Sequence, residues 1–238
     1  MNFWFRAALC TLWFMISCFL GLAMCVVYWG DISLNRRFAR VFSWGSLKIM
    51  GIRLVVEGYE NLVSHQPCIY VCNHQSNFDM ATLGRIYPSK TVVIGKKELL
   101  WMPFFGLYFY AAGNVIIDRS KRVQAIAGLD KAVKSIRKRG TSIWIFPEGT
   151  RNRTGEGLLP FKRGAFHMAV TAQVPLIPIV CAPLKSMISW KEKRAQPGEL
   201  KVKIMPPVLT QGMTDGQVKN LMETVRNQML DALRSLSS

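Results

Sequence analysis

Polarity along the chain changes character twice. From Ala7 to Trp29 no residue is charged. As a helix rising ~1.5 Å per residue, those 23 residues reach about 35 Å, enough to cross a hydrocarbon layer of about 30 Å. Trp4, Trp13, Tyr28 and Trp29 are aromatic side chains of the kind that settle at membrane–water interfaces. Next, Phe38, Val41, Phe42, Leu47, Ile49 and Met50 are interspersed with Arg40, Ser43, Ser46 and Lys48, a pattern that predicts an interfacial amphipathic helix over Phe38–Met50. From Gly51 onward, short apolar runs alternate with helical periodicity. The runs predict strands at Ile52–Glu57, Cys68–Cys72, Thr91–Ile94, Val115–Ile117, Ser142–Phe146, Leu176–Val180 and Leu200–Met205. Apolar positions at Val123, Ile126, Ala127, Leu129, Val133 and Ile136, stopped by Gly140, predict a helix over Val123–Arg139. A short helix is expected over Gly164–Ala172, and a closing amphipathic one carries Val218, Leu221, Met222, Val225, Met229 and Leu233. The polar stretch Ser186–Glu199 reads as a surface loop.

Strand–helix alternation of this kind predicts an α/β domain with a mixed or largely parallel sheet flanked by helices. The chain therefore divides into an N-terminal membrane helix with its interfacial helix, residues 1–50, and one α/β domain, residues 51–238. A cleaved leader is the alternative for the first segment, but the apolar run is long for one and has no small-residue cleavage site. The sequence leaves open whether the segment spans or dips into one leaflet.

Charge sharpens this picture. The 31 Lys and Arg against 14 Asp and Glu give a formal charge of +17, and only Arg6 among the first 30 residues is charged. Arg36, Arg37, Arg40, Lys48 and Arg53 follow the apolar segment, which predicts a cytoplasmic body. A basic body suits anionic membrane lipid or phosphate-bearing substrates. Nucleic acid is not expected as a partner, because no zinc-finger spacing, RNP-like strand or heptad-bearing basic region occurs. The six cysteines lie in apolar runs without a C-x-x-C pair and are expected to be reduced.

The candidate chemistry sits in polar turns that follow predicted strands. After Cys68–Cys72 comes Asn73-His74-x4-Asp79, a spacing that lets a carboxylate accept from one imidazole nitrogen and leave the other as a base. A polar turn in which Asn73 or Asp79 merely caps a helix is the plainer alternative. Phe146-Pro147-Glu148-Gly149-Thr150-Arg151 leaves another strand end, where α/β sheets place ligand-binding groups. There Arg151 offers a guanidinium fork for phosphate, Gly149 permits close backbone approach, and Glu148 can hold a hydroxyl or orient Arg151. Gly113–Arg119 delivers a second Arg, with a surface Asp118–Arg119 ion pair as the alternative. Lys96 and Lys97 precede an aromatic stretch, Leu99–Gly106, whose Trp101–Phe105 part reads equally as core. Cys72 and Ser76 each lie two residues from His74, so a covalent intermediate stays conceivable, although an apolar strand would keep the Cys72 thiol neutral.

Taken in order, Asn73-His74-x4-Asp79, Gly113…Ile117-Asp118-Arg119, Phe146–Arg151 and Val174-Pro175-x-x-Pro178 resemble the four blocks of glycerolipid acyltransferases. The resemblance is strongest to the lysophosphatidic acid acyltransferases of bacterial phospholipid synthesis, and Ile116 stands where an aromatic often sits. It implies that His74 is the general base with Asp79 its partner. Lys96, Lys97, Arg119, Glu148, Gly149, Thr150 and Arg151 would hold the glycerol phosphate, and Val174, Pro175 and Pro178 would shape a pocket. The implied reaction moves a fatty acyl group from acyl-CoA or acyl carrier protein to lysophosphatidic acid, with no cofactor and no metal, at the cytoplasmic face of a bacterial inner membrane. Another lysophospholipid acceptor is the nearest alternative. A metal-dependent hydrolase is disfavoured by three histidines without H-E-x-x-H spacing. A non-enzymatic basic membrane adaptor would tolerate loss of His74.

Overall fold

The computed structural model describes residues 2–118, 122–154 and 156–237. Two helices, α1 (Phe3–Val27) and α2 (Leu34–Met50), precede β1 (Ile52–Glu57), β2 (Ile69–Cys72), α3 (Asp79–Leu83), β3 (Thr91–Lys96) and α4 (Phe105–Ala111). Then follow β4 (Val115–Ile117), α5 (Arg122–Arg139), β5 (Ser142–Ile145), α6 (Gly164–Ala172) and β6 (Leu176–Cys181). The chain closes with β7 (Ile188–Ser189), β8 (Arg194–Ala195), β9 (Gly198–Ile204) and α7 (Val218–Ser237).

Seven strands form one sheet in the order β1-β9-β6-β2-β5-β3-β4. The run from β6 to β4 is parallel throughout, while β9 pairs antiparallel with β6 and β1 rides parallel beside β9. Every residue of β2, β5 and β6 is buried, as expected for parallel strands covered on both faces. That is why they appear in the sequence as unbroken apolar runs. Parallel strands also bring all their carboxyl ends to one edge. Pro178 lies within β6, a position where a missing N–H would ordinarily break a ladder. Its carbonyl accepts from Met205 N–H on the β9 side (2.9 Å), and the β6–β9 register begins only at Ile179. The absent donor thus faces away from β2, and the β2 ladder stays whole.

α1 is the one helix among the described residues long and apolar enough to cross a membrane; 22% of its most apolar window is buried in the protein. It runs antiparallel to α2: Arg6 reaches the Met50 carbonyl and Trp13 Nε1 donates to the Phe42 carbonyl (3.0 Å). Gly45 makes this approach possible, since a Cβ there would lie 2.2 Å from the Trp13 ring. At its amino end Phe3 packs edge-on against Trp190 (5.1 Å), and at its middle Phe14 packs against Phe105 (5.4 Å). α1 therefore lies along the body rather than leaving it.

Two expectations need correction. α2 begins at Leu34, not Phe38, and ten of its residues are buried, leaving a stripe of Arg37, Val41, Trp44 and Lys48 exposed. It is a packing layer between α1 and the sheet more than a helix resting on a surface. The stretch Ser186–Glu199 is not simply a loop: β7 and β8 form a small hairpin, closed by Gln196 N–H to the Met187 carbonyl (2.9 Å), with Ile188 and Ser189 buried. Two-residue strands are too short to leave a periodic signal.

Candidate active site

Where β2 ends, side chains and backbone fix the following turn from several sides. Asn73 is buried and bridges to the end of β6, accepting from Cys181 N–H (2.8 Å) and donating to the Cys181 carbonyl (2.9 Å). Gln75 repeats the device one step further, donating to the Ala182 carbonyl and accepting from Leu184 N–H, both at 2.8 Å. Between them, His74 Nδ1 lies 2.7 Å from Asp79 Oδ2. The same oxygen accepts from the backbone N–H of Gln75 (2.8 Å) and Ser76 (3.0 Å). A carboxylate only accepts, so this contact assigns the imidazole proton to Nδ1 and leaves Nε2 as the unprotonated nitrogen. Asp79 is 2% exposed, whereas the His74 side chain keeps 24% of its surface open.

The adjacent strand β5 delivers the second turn. Phe146 stacks on the His74 ring at 4.1 Å and 20°. Glu148 is buried, and its two oxygens accept from His74 N–H (2.7 Å) and Leu159 N–H (2.9 Å). Burial pushes its carboxyl above the ordinary glutamate range, against the lowering effect of those two donors. The expectation that Glu148 orients Arg151 is thus corrected: one oxygen braces the His74 turn and the other holds the Leu159 backbone. Arg151 donates instead to Asn77 Oδ1, inside the His74–Asp79 turn. Gly149 sits at φ +70°, where the chain reverses so that its N–H reaches the Phe146 carbonyl (3.1 Å). Thr150 is exposed beside it. Asn152 closes the clamp through its N–H to the His74 carbonyl (2.7 Å).

Lys96 ends β3 and Lys97 follows it, on the same sheet edge. Because β5 separates β2 from β3, strand spacing of about 4.8 Å puts this turn about 10 Å along the edge from β2. Lys96 is exposed. Lys97 pairs with Asp118 at the end of β4 (2.7 Å), a hydrogen bond that raises its pKa and keeps it charged. Asp118 therefore has Lys97 as a partner, and Arg119 lies outside the described residues. Val174 and Pro175 are not brought to His74: they precede β6 at the opposite end of the sheet, where the Pro175 carbonyl accepts from Ile69 N–H (2.9 Å). Pro178, opposite Val71, is core.

Geometry also ranks the alternatives. Cys72 is fully buried, and desolvation holds its thiol well above the usual range, so a thiolate there is strongly disfavoured. No group of three or more His, Cys, Asp or Glu side chains able to hold a metal occurs among the described residues. All six cysteines are free. The roles of Asn73, Gln75, Asn77, Phe146 and Asn152 escaped the sequence reading. Their signal was only that they flank His74 and Glu148 in polar turns, and their partners lie up to 109 positions away.

Residues 53–182 match the family described as Acyltransferase. The chain is 37% identical over 238 residues to the 1-acyl-sn-glycerol-3-phosphate acyltransferase alpha of Mus musculus, covering 100% of this chain and 83% of that protein. It is 35% identical over 233 residues to the 1-acyl-sn-glycerol-3-phosphate acyltransferase of Escherichia coli strain K12, covering 98% of this chain and 93% of that one. The crystal structure of the 1-acyl-sn-glycerophosphate acyltransferase PlsC from Thermotoga maritima has the same fold, with a TM-score of 0.74 over 99% of both chains at 24% identity.

Proposed function

Since the chain belongs to the acyltransferase family, we propose that it esterifies the sn-2 hydroxyl of 1-acyl-sn-glycerol-3-phosphate with a fatty acyl group, making phosphatidic acid. The acyl donor is a thioester, acyl-CoA or acyl carrier protein. One observation carries the residue assignment: His74 Nδ1 is 2.7 Å from a buried carboxylate, with Arg151 hydrogen-bonded to the same turn.

His74 Nε2 takes the proton of the acceptor hydroxyl as that oxygen attacks the thioester carbonyl. The tetrahedral oxyanion collapses and expels the thiolate, which recovers the proton from the imidazolium and leaves as a free thiol. Asp79 stabilises the imidazolium formed in between, and general-base help of this kind contributes about 10²–10⁴-fold. Arg151, with Lys96 and Lys97 further along the edge, attracts the phosphate and so positions the hydroxyl, and Arg119 is proposed to join them. Glu148, Gly149 and Thr150 shape the turn that presents Arg151.

The protein is membrane-associated through its apolar N-terminal helix. We place it at the cytoplasmic face of a bacterial inner membrane, where the acceptor and the product both reside. Purified protein given lysophosphatidic acid and either thioester should release free thiol and form phosphatidic acid. Thiol release that does not depend on lysophosphatidic acid, or that prefers a lysophospholipid without a phosphate monoester, would reject this acceptor.

A further inference from the structure

α4 is apolar on both sides. Phe105, Tyr108 and Phe109 are buried, and they pack into the N-terminal helices: Phe105 against Phe14 at 5.4 Å, Tyr108 stacked on Phe38 at 4.1 Å. Gly21 of α1 fits against the same tyrosine so closely that a Cβ there would lie 2.8 Å from its ring. The opposite stripe, Phe104, Leu107 and Tyr110 at i, i+3 spacing, is 50%, 63% and 67% exposed. The preceding turn adds Leu100 and Met102, and above all Trp101, which is 84% exposed. A helix apolar all round belongs in a core or in lipid, and clustered exposed aromatics mark an interaction surface. Phe104 reinforces the point. It holds φ +59°, a conformation that a large side chain rarely adopts, while its ring stays half exposed. Among the described residues, no aromatic ring pairs with it.

We propose that the segment Leu100–Tyr110 is a second membrane-contact element, inserting Trp101, Phe104, Leu107 and Tyr110 into the bilayer alongside α1. Its occupant is lipid because the patch is continuous, through Phe105 at Phe14 and Tyr108 at Gly21, with α1, which is long and apolar enough to enter a membrane. Tryptophan and tyrosine at its rim, with exposed Lys96 ahead of it, match the chemistry of an anionic interface. The consequence is orientational. Two contacts, one helix and one turn from the body, fix how the His74 edge meets the surface, which a single helix cannot do.

The test uses the full chain in vesicles of phosphatidylcholine and phosphatidylglycerol in equal parts. The protein has seven tryptophans, so the Trp101 signal is the difference between wild type and Trp101→Phe. That difference should be quenched by brominated acyl chains and not by acrylamide. Quenching by acrylamide alone would overturn the proposal, and shielding from both quenchers would overturn it in favour of a second copy of this chain. This readout needs no turnover, so it stands apart from the acyltransferase assignment. In parallel, Leu107→Asp with Tyr110→Asp should cut turnover of vesicle-borne lysophosphatidic acid by about tenfold or more, with a water-soluble short-chain acceptor turned over as before. Equal loss on both acceptors, or loss on neither, would refute it.

Discussion

Replacing Asp79 with Asn isolates what the carboxylate contributes beyond a hydrogen bond. With the imidazole 2.7 Å from Oδ2, a full charge pair is worth about 6 kcal/mol at an effective dielectric of about 20. The amide carbonyl keeps acceptance from His74 Nδ1, Gln75 and Ser76, so roughly half of that is retained as a dipole. A loss of about 3–4 kcal/mol in stabilising the imidazolium corresponds to about 10²–10³-fold in turnover. The amide NH₂ would take the place of Oδ1, a buried atom with no hydrogen-bond partner, and that costs about 1–3 kcal/mol of stability. Melting should therefore fall by several degrees without unfolding the protein, at about 2–4 °C per kcal/mol for a chain of this size. The assay is thiol release with saturating acceptor, read beside a thermal melt. If base and carboxylate act as one unit, His74→Ala combined with Asp79→Asn should be no slower than His74→Ala alone. Multiplicative losses, or an Asp79→Asn enzyme within about threefold of wild type, would refute the assignment.

Other residues give sharper single tests. Arg151→Ala should raise the KM for lysophosphatidic acid about 10–100-fold while leaving the KM for the thioester unchanged; a selective effect on the donor would contradict phosphate recognition. Cys72→Ala should keep turnover within a few-fold and lose about 1–2 kcal/mol of stability to the small cavity created, and loss of activity with an intact fold would argue for a covalent intermediate. Glu148→Gln leaves either the His74 or the Leu159 N–H facing an amide NH₂, which should lower stability by about 1–3 kcal/mol in a denaturant titration. Because burial raises the Glu148 carboxyl, the native chain binds that proton at a higher pH than the unfolded one does. Its contribution is complete below the ordinary glutamate value and is lost as pH rises through the folded value. The melting gap between wild type and Glu148→Gln should thus widen as the solution is acidified through that window, and a narrowing gap would disprove it.

How much of this was legible in advance depends on element length and on where partners come from. All seven strands of the main sheet were readable: β2, β5 and β6 because parallel strands buried on both faces are apolar at nearly every position, and β9 because buried residues alternate with more exposed ones. α4 was not, since Phe105–Ala111 shows no polar face from which a helical period could be read. The β7–β8 hairpin was lost for want of length. Within the site, His74 with Asp79 was legible because only four residues lie between them and the turn is local. Glu148 was misread because its partners are the N–H groups of His74 and Leu159, which belong to distant backbone and leave no mark in residue type. Val174 and Pro175 were misplaced for a related reason: membership of an ordered block says nothing about which end of a strand it occupies.

That distant backbone gives the site its logic. Val71 stands opposite Ile145 and Cys72 opposite Ile179, so the chain leaves β2, β5 and β6 at one height. Only then can Glu148 meet the His74 N–H, Asn152 the His74 carbonyl and Asn73 the Cys181 backbone. The imidazole is consequently clamped at its backbone by two neighbouring strands before Asp79 orients its ring. A slip of one residue between β2 and β5 would invert the side chains that follow and separate all these pairs together. The continuous apolar packing of three fully buried strands, which by itself carries no chemistry, is what holds that register.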